Sequence, residues 1–155
     1  MPDKTWIRNR FREKLERGDF LVLGEVQIPG RELDKDVACE KIAAFEKAAR
    51  SVENMTTSLA LTEGGSSAEF YRSADFISAL DPEYRDTHLF YLSGRNCPED
   101  LVPELMQKAS AGGALNWVAV SGNAVPGENA RKTAGRRFME STAILRTIRK
   151  FDRSF

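Results

Sequence analysis

Histidine is nearly absent from this chain, which has only His88, and cysteine is scarce, with Cys39 and Cys97 alone. Two cysteines that far apart fit no metal-ligand spacing and read as free thiols. Net charge is missing too: 23 basic and 23 acidic side chains cancel, so no overall field draws nucleic acid or an anionic membrane, and any anion site must be local. No apolar run approaches the roughly 20 residues that a membrane span requires. The start, Met1-Pro-Asp-Lys-Thr-Trp6, lacks the apolar core of a signal peptide, so a cytoplasmic protein is expected. Also lacking is a Gly-x-Gly-x-x-Gly after the first strand-like run, which withdraws support from a dinucleotide-binding sheet. No hairpin signal joins any two strand-like runs.

What is present is one pattern, repeated along a chain whose 155 residues suit a single domain, 1–155, able to bury roughly two thirds of its unfolded surface. A helix is predicted from Thr5 to Arg17, with Ile7, Phe11 and Leu15 inward and Gly18 as its stop. Phe20 to Val26 reads as a strand buried on both faces, ended by Pro29-Gly30. From Asp34 to Val52 the face Ala38, Ile42, Phe45, Ala49 predicts a helix covering the sheet. A second strand, Thr56 to Thr62, breaks at Glu63-Gly64-Gly65. The capping-box spacing of Ser66 and Glu69 then opens a helix through Phe70, Ala74, Ile77 and Leu80. The third strand, Thr87 to Leu92, runs into Ser93-Gly-Arg-Asn96. Pro98 suits the first turn of a helix with Leu101, Leu105, Met106 and Ala109 inward and Gly112-Gly113 as stop. The fourth strand, Trp117 to Val120, breaks into Ser121-Gly122-Asn123. After a basic loop, Phe138, Ile144, Leu145 and Ile148 mark a last helix ending near Phe151.

Strands alternating with helices predict an α/β fold of parallel (β/α) units preceded by one helix. A small doubly wound sheet and the first half of an eight-stranded barrel both satisfy that alternation. Each strand ends in a polar residue, namely Glu25, Thr62, the Ser93 to Asn96 turn and Ser121 to Asn123, and several strands delivering side chains to one rim is the habit of the barrel.

In order and spacing these strand ends resemble the methylenetetrahydrofolate reductases, flavin-dependent (β/α)8, or TIM, barrels of one-carbon metabolism. Glu25-Val-Gln-Ile-Pro29 is similar to the family's first-strand Glu and Pro, and Leu59-Ala-Leu-Thr62 to its second-strand end. His88-Leu89 followed by Arg95-Asn96 resembles the third strand and its turn, and Val118-Ala-Val-Ser-Gly-Asn-Ala-Val-Pro126 the fourth, an apolar run into Gly-Asp-x-Pro. The resemblance spans Phe20 to Glu128. It implies the amino-terminal half of a TIM barrel, FAD as cofactor, NADH or NADPH as electron donor, and reduction of methylene-tetrahydrofolate to methyl-tetrahydrofolate. It makes Glu25 the catalytic acid, protonating the departing nitrogen, and Thr62, His88, Ser121, Gly122 and Asn123 flavin contacts. Asn123 stands where the family has an acid, keeping hydrogen bonding but losing charge, and Ser121 where many members carry Arg.

Local roles compete at each position: an ion pair for Glu25, a strand-end hydroxyl for Thr62, a satisfied core side chain for His88, a turn for Gly122, a helix cap for Asn96. A complete barrel takes about 250 residues, so a truncated reading of a longer reductase is expected, with a missing carboxyl-terminal half-barrel. The alternative is a non-catalytic half-barrel that binds flavin or folate, or pairs with another chain as a homo-oligomer. Arg131, Lys132, Arg136, Arg137, Arg146, Arg149, Lys150 and Arg153 form a basic cluster, but without aromatic platforms between them nucleic acid is not an expected partner.

Overall fold

Apolar runs too short to be helices pair side by side: β1 (Val22–Gln27), β2 (Thr57–Thr62), β3 (Leu89–Ser93) and β4 (Asn116–Val120) form one four-stranded, all-parallel sheet in the order β1-β2-β3-β4. The computed structural model describes residues 8–52, 57–63, 70–94, 97, 99–121 and 139–151. Helices alternate with the strands: α1 (Arg10–Arg17) precedes β1, α2 (Lys35–Arg50) follows it, α3 (Leu101–Ala111) follows β3 and α4 (Ser141–Phe151) follows β4. The link from β2 to β3 holds two 3-10 segments, Ser73–Ala79 and Arg85–Thr87. The strand order has no reversal, so these strands contain no topological switch point of the doubly wound kind.

The register sorts side chains onto two faces, because paired residues of parallel strands point the same way. Leu59, Leu61, Phe90 and Leu92 join Ile42 of α2, Val102, Leu105, Met106 and Ala109 of α3, and Ile144 and Ile148 of α4 in one core. The opposite face carries Leu23, Glu25 and Gln27 of β1, Ala60 and Thr62 of β2, Leu89, Tyr91 and Ser93 of β3, and Val118 and Val120 of β4. Helix ends follow local chemistry. Asn9 and Asp34 cap α1 and α2 through their side-chain oxygens. At the end of α3 the Gly113 N–H reaches Ser110 O (3.1 Å) and the Ala114 N–H reaches Ala109 O (3.0 Å), a Schellman closure with Gly113 at φ 81°.

Several expectations are corrected. β1 is not buried on both faces but alternates half-buried and exposed, since only one side of this edge strand meets helices. Phe70 to Leu80 is not an α-helix: Ser73–Ala79 is 3-10, and its threefold repeat still buries Ala74, Ile77 and Leu80, which lie three apart. Thr87 and His88 precede the third strand rather than begin it. Leu15, Phe45 and Leu145 are exposed by 56, 45 and 46%, and on α2 the inward position expected of Phe45 belongs to Glu46, 3% exposed. Ile7, Ser66, Glu69, Arg95, Asn96, Pro98, Phe138 and the basic residues Arg131 to Arg137 and Arg153 lie outside the described residues.

Candidate functional site

The carboxyl ends of β1 and β2 bring Glu25 and Thr62 together on the face away from the helices. Glu25 pairs in register with Ala60 and Gln27 with Thr62, so the two functional side chains are diagonal neighbours. The Thr62 hydroxyl lies 3.2 Å from Glu25 Oε1 and 3.4 Å from Val26 O and has one proton to share between them. Glu25 is exposed and Thr62 half-buried, and among the described residues no bond to the second carboxylate oxygen is present. Leu23, Tyr91, Val118 and Val120 lie on that same face, each at least partly accessible. The arrangement is a hydroxyl-steadied carboxylate above a largely apolar floor. Such a group can exchange a proton with a ligand laid against the sheet.

His88 does not join it. The parity of β3 turns this side chain to the helix face, where it is 1% exposed. Nδ1 accepts the Leu59 N–H at 3.0 Å, so the ring proton sits on Nε2, which donates to Glu46 Oε1 at 2.8 Å. The other oxygen of Glu46 accepts the Asp81 N–H at 2.9 Å. Both ring nitrogens are committed, and His88 ties β2, β3 and α2 into one polar node inside the core.

Ser121 holds the start of α4. Its hydroxyl donates to Glu140 Oε2 (2.9 Å) and accepts the Ser141 N–H (3.1 Å), satisfying an amide that the helix cannot. Gly122 and Asn123 lie outside the described residues. Next to this rim Gly94 approaches Met139 so closely that a Cβ on Gly94 would stand 1.8 Å from Met139 O, and the Met139 N–H bonds back to Gly94 O at 3.2 Å.

Glu63, one residue past Thr62, has the heavier structural duty. Buried on the helix side of the rim, it accepts the Ser93 N–H (2.9 Å) and the Ser73 N–H (3.3 Å) and lies 3.5 Å from Arg72 Nη1. Burial pushes its carboxyl above the usual range, more than the Ser93 and Ser73 amides and the Arg72 charge pull it down. The Cys97 thiol beside them is pushed up to about 11, first by burial and then by the charge of Glu63, with Arg72 opposing. A thiol so held is not a nucleophile near neutral pH. Glu46 had a sequence signal, falling four residues after Ile42 on the face of Ala38, Ile42 and Ala49. An acid at an apolar-face position marks a buried polar partner. Glu63 had none, because its amide partners come from Ser73 and Ser93 through tertiary folding.

Elsewhere, an open hollow of about 400 Å³ lies between Arg10, Pro82, Asp86 and Leu115 at the amino ends of the strands, away from Glu25. Among the described residues no group of three or more His, Cys, Asp or Glu could hold a metal ion, and no helix is long and apolar enough to cross a membrane. Searched against protein-family models, curated proteins and solved structures, the chain matches none.

Proposed function

We propose that this chain is the strand-one-to-four half of a TIM-barrel, flavin-dependent reductase of one-carbon metabolism, with Glu25 as the proton donor when methylene-tetrahydrofolate becomes methyl-tetrahydrofolate. The observation that carries it is the Glu25–Thr62 contact at 3.2 Å, at the carboxyl rim and on the helix-free face of a parallel sheet whose strands follow in sequence order. That is where a barrel concentrates its chemistry. The residues fit a flavin in part: Thr62 and Gln27 offer polar contacts at the rim, and Leu23, Tyr91, Val118 and Val120 offer a floor for a planar ring. His88 offers nothing to it. Flavin, when bound, supplies hydride taken from NADH or NADPH. Thr62 steadies Glu25, and Glu25 delivers a proton to the nitrogen that leaves the methylene carbon. Excluding water from an exposed Glu25 falls to the bound ligands or to a covering partner.

A second reading has an observation of its own. Glu25 is exposed and β1 and β4 are edge strands, which suits a half-barrel that binds flavin or folate without turnover. Titration with FAD, followed by flavin fluorescence, is the first test: a protein that does not bind FAD refutes the reductase, and one that binds neither FAD nor folate refutes both readings. For the reductase, flavin-loaded and reduced protein should be reoxidised by methylene-tetrahydrofolate. Glu25→Gln should slow that step by about 10²–10⁴-fold while leaving flavin binding intact. Binding with no reoxidation selects the non-catalytic reading.

A further inference from the structure

Both free edges of the sheet carry apolar surface that nothing among the described residues covers. On α2 the buried face runs through Ala38, Ile42, Glu46 and Ala49. One flank of that face is occupied: Glu46 reaches Asp81, and Arg50 reaches Asp81 at 2.7 Å and stacks on Tyr84 at 3.8 Å. The other flank, toward β1, holds Val37, Lys41, Ala44, Phe45 and Ala48 at helical spacing, all exposed, with Val37 at 41% and Phe45 at 45%; the stripe is apolar apart from Lys41, whose stem can lie along it. The Phe45 ring lies over β1, since a Cβ on Gly24 would meet Phe45 Cε1 at 3.5 Å. Small residues beside two larger ones are what a helix presents to a close neighbour. At the far edge α4 offers one large exposed apolar residue among mostly polar neighbours. Ala143 and the half-buried Thr147 lie on one side of its buried pair Ile144 and Ile148, and Leu145, 46% exposed, lies on the opposite side.

The two edges match each other. All four strands are parallel, so the open side of β4 has the polarity required to continue into the open side of a β1. Strand number fits as well, because two sheets of the four strands found among the described residues make the eight at which a barrel interior is just filled by side chains.

We infer that two copies of this chain close one barrel, β4 of each beside β1 of the other, with Leu145 of α4 packed against the Val37–Phe45 stripe of its partner's α2. The inference rests on the half-barrel part of the reading above but not on its flavin chemistry. Each copy offers one edge and receives the other, so the contact is head-to-tail and closes after two.

The test is the solution mass of the 155-residue chain by sedimentation equilibrium, with each variant's fold checked by circular dichroism. Two chains of 17.4 kDa should associate at micromolar concentration. Phe45→Glu and Leu145→Glu should each weaken association by at least about tenfold, the scale of losing one well-packed apolar anchor. Val37→Glu replaces Phe45→Glu if the latter misfolds. Mixing the two variants should restore association only in part, because one seam then joins an intact Leu145 to an intact Phe45 while the other sets Glu against Glu. A face-to-face dimer built on Phe45 would ignore Leu145→Glu. A monomeric wild type, a dimer indifferent to Leu145→Glu or open-ended polymers would each overturn the inference. An edge-closed dimer that does not bind FAD would keep it while sinking the reductase, and a monomer that binds FAD would do the reverse.

Discussion

Removing His88 should destabilise the protein through its partners more than through its own volume. His88 and Glu46 are 1 and 3% exposed and share a chain of bonds from the Leu59 N–H to Nδ1, from Nε2–H to Glu46, and from the Asp81 N–H to the other carboxylate oxygen, at 3.0, 2.8 and 2.9 Å. His88→Ala deprives the Leu59 amide of its acceptor and leaves Glu46 buried with a single donor, at about 1–3 kcal/mol for each orphaned group. Glu46→Ala strands Nε2–H and the Asp81 amide, at about 1–3 kcal/mol each. The double variant removes the partners together, so its loss should fall short of the sum by roughly 1.5–3 kcal/mol. Against a typical total of about 5–15 kcal/mol either single change is severe. Urea unfolding with linear extrapolation measures all of these values, and the slope checks that the transition remains comparable among variants. Losses below about 1 kcal/mol, or additivity within about 0.5 kcal/mol, would refute the node as a coupled unit. Nitrogen-15 shifts of the ring offer an independent check, with the proton expected on Nε2 and not on Nδ1.

Two further changes probe the two ends of the sheet. The Arg10 guanidinium and backbone N–H both bind Asp86 and, although burial pushes that carboxyl up, together hold it below its usual value. A lowered folded value means stability present above the ordinary carboxylate range and lost as pH falls through the folded value. Wild type should therefore lose its advantage over Asp86→Asn as unfolding is measured from about pH 5 downward. A constant difference across that range would count against the ion pair. Gly94→Ala places a Cβ 1.8 Å from Met139 O and must push the entry to α4 off the end of β3. A loss of about 1–3 kcal/mol is expected, with amide exchange accelerated first in α4, and unchanged exchange there would show that the close approach is dispensable.

The sequence made the order of elements legible because each strand is a short apolar run and each helix carries its own period and stop. Gly18 and Gly113, both at positive φ, end α1 and α3 where the chain's pattern placed those stops. The error over Phe70 to Leu80 has a physical origin, since residues three apart satisfy both an α and a 3-10 repeat and only the backbone chooses. Phe45 was misplaced for another reason. Its position is apolar and periodic, yet its ring lies over Gly24 of the edge strand β1 with no described helix beside it and stays 45% exposed, while Glu46 enters the core because His88 and the Asp81 amide await it there. Periodicity reports which residues a helix would bury given neighbours on every side, and it is blind to which neighbours exist.

The same blindness divides the site. Glu25 and Thr62 could be brought together from sequence because adjacent parallel strands of similar length end at one rim, and two polar side chains of like parity there meet without help from any loop. His88 could not be placed, since Leu89-Phe-Tyr-Leu92 is apolar at every position and does not tell which parity meets the helices, and a histidine's role depends on which face it joins. Once on the helix face, its two nitrogens were claimed by a backbone amide and a buried acid. His88 and Glu63 on the helix face are satisfied by the fold itself, as is Asn116 on the other, whereas Glu25 is exposed and bonds through one oxygen only to Thr62 among the described residues. That accessible oxygen, beside sheet edges that no described residue pairs, is the ground on which a bound ligand and a second copy are proposed.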